Sequence, residues 1–237
     1  MKYGEGFAPP IPDGEGGELL ELWETYSEED RYYLLEKAFI RKVLKGETIY
    51  KAGDMPKHCF LLMSGRVKVV REGIPGGRPH IIQILKPAVL FGYRSYFGHT
   101  PYLTSAVALQ DCELVCYPFE RFTEMMVRYR AFGRFIIKHI VRDLGLADLR
   151  NITLTQKCVR GRLAEALLYV QDACGEQADG TLDVQLSRED LANLSNMTTS
   201  NAIRTLSAFA KEGLVELRGK QIVIVEKSEL EDISRRG

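Results

Sequence analysis

The stretch from Leu186 to Val225, LSREDLANLSNMTTSNAIRTLSAFAKEGLVELRGKQIVIV, restricts the fold more than any other part of the chain. Ser187-Arg-Glu-Asp190 places a hydroxyl three residues ahead of a carboxylate. That is a capping box, and it predicts a helix starting at Arg188 with Leu191 and Leu194 as its apolar residues. Asn196 stands where a tight helix–helix turn needs a residue that tolerates left-handed backbone. Thr198 caps a second helix whose apolar stripe is Ala202, Leu206, Phe209 and Ala210, and Gly213 ends it. Leu214–Leu217 and Gln221–Val225 are two short β runs around Arg218-Gly-Lys220, a hairpin. Helix, turn, helix and hairpin in this order make a winged helix-turn-helix.

The residue chemistry suits duplex DNA. In this motif the second helix enters the major groove and its first turns face the base edges. Here those positions are Thr198, Thr199, Ser200, Asn201 and Arg204, all hydrogen-bonding and none acidic. Arg204 suits guanine O6/N7 and Asn201 suits adenine. Ser187 and Thr198, at helix starts, suit phosphate, with charge from Arg188, Lys211, Arg218 and Lys220.

Upstream the texture changes twice. From Phe39 to Pro118, short runs rich in Val, Ile, Leu and Tyr (FLLMSG, RVKVVREG, RPHIIQIL, TSAVALQDCELVCYP) are broken by Gly or Pro every 8–12 residues. That spacing predicts an antiparallel sandwich or jelly roll. From Glu120 to Cys174 there is no proline, and Ile137, Ile140, Leu144, Ala147, Asn151, Leu154 and Cys158 fall on alternating a and d positions of a heptad. Phe132, Phe135, Ile136 and Ile152 lie on another face, suited to the preceding barrel. A helix with two apolar faces calls for two partners, of which a second copy of the chain is the simplest; a helix buried within a monomer is the alternative. Gly161 interrupts the pattern before a further amphipathic helix, RLAEALLYVQDAC. Ser27-Glu-Glu-Asp30 predicts a short capped helix, and the opening GEGFAPPIPDGEGG reads as a mobile arm. The expected organisation is an arm over 1–18, a sensor domain over 19–130, a dimerisation helix over 131–158 and a winged helix-turn-helix over 159–230.

Composition narrows the function. Lys+Arg and Asp+Glu are each 32, so any basic surface must be local. No apolar run reaches the ~18 residues of a membrane span, and the first 20 residues lack a signal-peptide pattern, so a cytoplasmic protein is expected. Five scattered cysteines without a CxxC argue against a disulfide scaffold or zinc finger. Cys112 and Cys116 share one face of a predicted strand and read as small core residues. The histidines, at 58, 80, 99 and 139, contain no His-x-His pair, and there is no phosphate loop, GxSxG or HExxH. An enzyme on a jelly-roll scaffold is therefore disfavoured.

With these residues in view, the chain resembles the Crp–Fnr family of bacterial transcription regulators over about residues 25–227. The resemblance rests on Gly46-Glu-Thr-Ile-Tyr-Lys-Ala-Gly-Asp54, Phe60-Leu-Leu-Met-Ser-Gly-Arg-Val-Lys-Val69, Phe91-Gly92, Thr104-Ser-Ala106, Gly161-Arg-Leu-Ala, Ser187-Arg-Glu-Asp-Leu-Ala, Thr198–Leu206 and Gly219-Lys220. It implies an α+β architecture: an N-terminal antiparallel jelly-roll barrel of the cyclic-nucleotide-binding type, a long central dimerisation helix and a C-terminal winged helix-turn-helix. It also implies a homodimer on double-stranded DNA that works with RNA polymerase.

The departures from the family pattern set the expected effector. Cyclic-AMP-responsive members carry Glu after Phe-Gly and Arg before Ser-Ala or Thr-Ala; this chain has Tyr93 and Thr104 there. A buried phosphate without a paired cation is costly. Positions that close over the purine fall on Ala147 and Asp148, and Asp148 would repel the phosphate. The expected pocket, Gly92, Tyr93, Arg94, Thr104 and Ser105, therefore serves an effector other than cyclic AMP, with Arg94, His99 and Arg78 as nearby cations. The alternatives are a pocket filled by its own bulky side chains (Tyr93, Tyr96, Phe97, Leu103) and a cyclic-nucleotide or haem sensor with a non-standard site drawing on His58, Cys59, His80, His99 or His139. No cysteine precedes Cys59, so the iron–sulfur cluster of the oxygen-sensing branch has no ligands there. No cofactor and no metal ligand set is expected. Ser200 stands where family members often have a cytosine-reading Glu, so the half-site is not expected to be the usual one.

Overall fold

A computed structural model describes residues 17–75 and 77–237, which fall into two compact units: residues up to 67 with 85–142, and 68–84 with 143–237. Most of the segment read as an arm lies outside the described residues. Gly17 and Glu18, counted with it, instead open a helix, α1 (Gly17–Thr25), that the sequence reading did not foresee. No described helix is long and apolar enough to cross a membrane.

α2 (Glu28–Leu35) starts where the Ser27 signal placed it: the Ser27 hydroxyl accepts the Asp30 amide at 3.2 Å and donates to its carboxylate at 2.6 Å. The strands follow as β1 (Phe39–Val43), β2 (Thr48–Tyr50), β3 (His58–Ser64), β4 (Val67–Arg71), β5 (His80–Leu85), β6 (Leu90–Phe91), then, after the short helix α3 (Arg94–Phe97), β7 (Ser105–Ala108) and β8 (Cys112–Pro118). They form two four-stranded sheets, ordered β1-β8-β3-β6 and β2-β7-β4-β5. The pairs β1–β8, β3–β8, β3–β6 and β2–β7 are antiparallel, as a jelly roll requires.

β8 is central, with Cys116 opposite both Phe39 and Phe60. Central strands are covered on both faces, so the nearly unbroken apolar runs of β3 and β8 follow from position. Period two sorts β3: Phe60 and Leu62 alternate with Cys59 and Leu61, which pack with the helical core. That core also takes Leu22, Trp23 and Tyr26 of α1 and its following turn, Leu34 and Leu35 of α2, and Phe122 and Met125 of α4 (Phe119–Arg128). Phe132, Phe135 and Ile136 close it from α5 (Arg130–Gln156). Each such side chain contributes about 1.5–3 kcal/mol on burial, which fixes the helices to the barrel. Cys59, Cys112 and Cys116 are buried and free.

α5 carries both of its expected faces, with one correction. Ile152, assigned to the barrel-facing side, is exposed at 51% and is not part of the helical core, whose last member on α5 is Ile140.

The second unit contains α6 (Val159–Cys174), α7 (Arg188–Leu194), α8 (Thr199–Lys211), the hairpin β9 (Val215–Arg218)–β10 (Gln221–Ile224) and α9 (Lys227–Arg236). α9, which the sequence reading did not foresee, packs along α6 with Leu230 fully buried. Gly161 is required there: a Cβ would meet the Gly237 carbonyl carbon at 2.7 Å. Arg160 ties α6 to the end of α8, with Nη1 and Nη2 on the two Glu212 carboxylate oxygens at 2.8 and 2.6 Å and its guanidinium over the Phe209 ring.

Candidate nucleic-acid interface

α7 is anchored by a complete capping box. Asp190 donates its amide to the Ser187 hydroxyl at 2.9 Å, and its carboxylate accepts the Ser187 amide at 3.2 Å and hydroxyl at 2.8 Å. The other carboxylate oxygen takes the Lys68 ammonium, from the same unit, at 2.5 Å. Asp190 is buried, so each of these donors matters. Asp190→Ala is expected to lower the stability of the chain by about 2 kcal/mol, read as a lower urea midpoint, with Asp190→Asn losing less. An unchanged midpoint for both variants would show that the cap does not hold the motif.

The turn forms as its residues require. Asn196 adopts φ +49°, Met197 donates its amide to the Ala192 carbonyl at 3.0 Å, and Arg162 Nη1 holds the Asn196 carbonyl at 2.7 Å. Thr198 caps α8, accepting the Asn201 amide at 3.1 Å. Ala202, Thr205, Leu206 and Phe209 are buried, which sets the helix rotation. Thr199, Ser200, Arg204 and Lys211 are exposed, and Asn201 is half-buried on the flank. Ile203 and Ser207 share the exposed face and were missed by the sequence reading. The signal was available, since both are complementary to the buried stripe at 3.6 residues per turn. An exposed Ile203 suits a thymine methyl. The face has no acidic residue, and the helix N-terminus adds partial positive charge.

The wing corrects one assignment. Arg218 belongs to β9, not to the turn, and its guanidinium is spoken for: Nε and Nη2 bind Glu216 at 2.9 and 3.0 Å, and Nη1 reaches the Asp179 carbonyl at 3.2 Å. The pairing holds the Glu216 carboxyl below and the Arg218 guanidinium above their usual ranges. Its charge is therefore partly offset within the wing. Arg188 is half-buried and donates Nη2 to the Gly219 carbonyl at 3.1 Å, bracing the wing tip. Lys220, beside it, is exposed, and Ser187 is exposed at its cap.

In the barrel, Tyr93 leaves the expected pocket, whereas Arg94 and Thr104 both lie near Tyr50. Gly92 (φ +87°) lies against Phe60, whose ring a Cβ would meet at 2.9 Å. Tyr93 turns into the helical core, its ring parallel to that of Phe122. Tyr96 stacks on Phe119 at 3.9 Å and Phe97 faces Phe122, while Leu103 is 58% exposed, so none of these fills the barrel. Arg94 is exposed. The Ser105 hydroxyl accepts the Ala52 amide at 3.0 Å, and Thr104 lies beside the Tyr50 hydroxyl. Tyr50 in turn stacks on Tyr102 at 3.9 Å and lies beside Phe60 and Phe91. An aromatic cluster thus occupies the side of the barrel where Thr104 and Ser105 sit, and burial raises both tyrosine hydroxyls above their ordinary value. Of the histidines, His80 Nδ1 is 2.8 Å from the Asn193 carbonyl and His139 packs on Phe135. Among the described residues no group of three His, Cys, Asp or Glu could hold a metal.

On the dimer stripe, Ile137, Leu144, Ala147 and Asn151 are exposed, and Ile140 and Leu154 half-buried. Val141 and Leu149 add exposed apolar surface.

The family model for the cyclic nucleotide-binding domain matches residues 40–129, and that for the Crp-like helix-turn-helix domain matches residues 161–233. The cyclic AMP receptor protein of Thermus thermophilus is 30% identical over 190 residues, 80% of this chain and 85% of that protein. The CRP-like cAMP-activated global transcriptional regulator of Mycobacterium tuberculosis is 26% identical over 188 residues, 78% and 84% of the two chains. Among solved structures, FixK2 from Bradyrhizobium japonicum matches with a TM-score of 0.74 at 20% identity, over 83% of this chain and 96% of that one, a likeness of fold.

Proposed function

Because the chain belongs to the Crp–Fnr family of transcription regulators, we propose that it acts as a homodimer, reads duplex DNA with the exposed face of α8, and answers to an effector other than cyclic AMP. The observation that carries the DNA reading is the polar, acid-free face of Thr199, Ser200, Ile203 and Arg204 on a helix locked from behind by Phe209 and from its start by Thr198. A two-fold pair of such helices about 34 Å apart would meet successive major grooves. Selection of bound duplexes from a random pool is expected to return a symmetric site with two half-sites. Recovery of no sequence preference would overturn the reading.

The same family includes proteins named for cyclic AMP, and that property is theirs. Here Tyr93 lies in the helical core and Thr104 beside Tyr50, so neither a ribose-binding carboxylate nor a phosphate-binding guanidinium stands at those two places. Cyclic AMP at 1 mM is therefore expected to leave the thermal midpoint unmoved. A ligand at 100 times its Kd would add about 2.7 kcal/mol, several degrees in midpoint, and such a shift would refute the claim. The Tyr50–Tyr102–Phe60–Phe91 cluster also favours a second reading, in which the barrel is filled by its own side chains and takes no effector there.

A further inference from the structure

A cleft separates α1 and α2 from the outer face of the β1-β8-β3-β6 sheet and from α4 and α5. Its walls include Leu22, Leu61, Phe122 and Phe132. Two of the lining residues carry polar atoms, the Trp23 indole N–H and the Tyr26 hydroxyl, the second near Tyr129 and Asp30. Both side chains line the cleft, are more than nine-tenths buried (4% and 6% exposed), and leave these atoms without a hydrogen-bond partner. Folded proteins pair nearly all such groups, so two unpaired donors on one cleft mark a place for an acceptor.

We propose that this cleft binds an uncharged, mainly hydrocarbon small molecule carrying one acceptor oxygen, such as an alkyl ketone. Indole is a donor only, and the buried Tyr26 phenol stays protonated, so both groups call for an oxygen lone pair. An anion is disfavoured. The nearby carboxylate of Asp30 would repel it, and the cation at that carboxylate, Arg128, is already paired with it at 2.9 Å. A cation finds donors where it needs acceptors. The hydrocarbon part answers the remaining walls.

The cleft and its open mouth together hold about 410 Å³ of unoccupied space. The cavity volume as it stands is about 30 Å³, well below the ~300 Å³ at which small-ligand pockets begin, so occupancy must part α1 from the barrel. α1 is a fitting lid: it has nine residues, and the Arg31 side chain holds its end through the Trp23 and Glu24 carbonyls. Phe132, in the opposite wall, belongs to α5, the helix that carries the stripe at Ile137 and Leu144. That the ligand is the regulator's effector rests on the function proposed above; that it binds here does not.

Trp23 is the only tryptophan in the chain, so the intact protein labelled with nitrogen-15 gives one indole N–H resonance, from this site. Titration with 2-octanone is expected to shift that resonance saturably. Tyr26→Phe, which keeps the ring and removes the hydroxyl, is expected to weaken the ketone about tenfold. No saturable shift up to the solubility limit would show that water or the chain itself fills the cleft, and would overturn the proposal. An equal affinity for Tyr26→Phe would overturn the role of the donors and with it the ligand class. Operator affinity measured with and without 2-octanone is the separate test of the effector role: a saturable indole shift with unchanged DNA affinity removes that role and leaves the site. Failure to bind any operator would touch only the DNA reading.

Discussion

Glutamate at both Ile137 and Leu144 is expected to leave the chain folded but monomeric, and to cut its affinity for a two-half-site operator by a factor of about 10²–10⁴. The two residues sit seven apart on α5, each exposed by about three-fifths in the single chain, 58% and 61%. Neither packs in the helical core, whereas Phe132, Phe135 and Ile136, just before Ile137 but on the other face, are buried in it. In a parallel two-fold pair an a-position side chain meets its own copy, so each substitution sets two carboxylates face to face in a desolvated seam. The penalty is several kcal/mol per buried ion, more than a three-heptad seam can offset. Sedimentation velocity reads the mass, far-UV circular dichroism the fold, and fluorescence anisotropy the operator affinity. The monomer retains one recognition helix and loses only the linked second contact, so its residual binding measures a single half-site. A double variant that sediments as a dimer would mean that the stripe is not the seam. Ile137→Val with Leu144→Met keeps the pattern and should keep the dimer.

How far the sequence was legible depended on whether a signal was local. The N-cap at Ser27, the capping box at Ser187, the left-handed Asn196 and the Gly213 stop each depend on a few neighbouring residues, and each forms where expected. The two-sheet barrel was legible as strand texture. What the barrel does with its aromatic residues was not, because strand texture does not say which face a ring takes in the folded sheets. Tyr93 and Tyr96 turn to the helical core, and Tyr50, unremarked in the sequence, turns toward Thr104. Charge was misjudged for a similar reason. Arg218 reads as a free cation at a hairpin tip, but pairing across two residues and to Asp179 is a tertiary fact. α9 was missed because Lys227–Arg236 is polar on most sides, and only Leu230 and Ser234 are buried, against α6.

Arg204→Ala is the variant that separates reading from holding. Arg204 lies on the exposed face of α8, more than one turn from Thr198, where a side chain of its length reaches base edges and not only the backbone. A bidentate pair with guanine is worth about 1–3 kcal/mol of discrimination. The loss is therefore expected to be about 5–150-fold on the selected operator, with little change on unrelated DNA, and the preference should relax at one base pair per half-site. Lys220, exposed at the wing tip, has no such position and serves a phosphate. Lys220→Ala should weaken all sequences alike and reduce the salt slope of log K by about 1 per half-site. Competition titrations over a series of salt concentrations distinguish the two. If Arg204→Ala lowers the slope and leaves every base preference intact, Arg204 is a backbone contact, and specificity must come from Thr199, Ser200, Asn201 and Ile203. That outcome would also be informative about the absent carboxylate at Ser200, since a recognition helix without Glu or a reading Arg has only hydroxyl, amide and methyl contacts with which to choose a sequence.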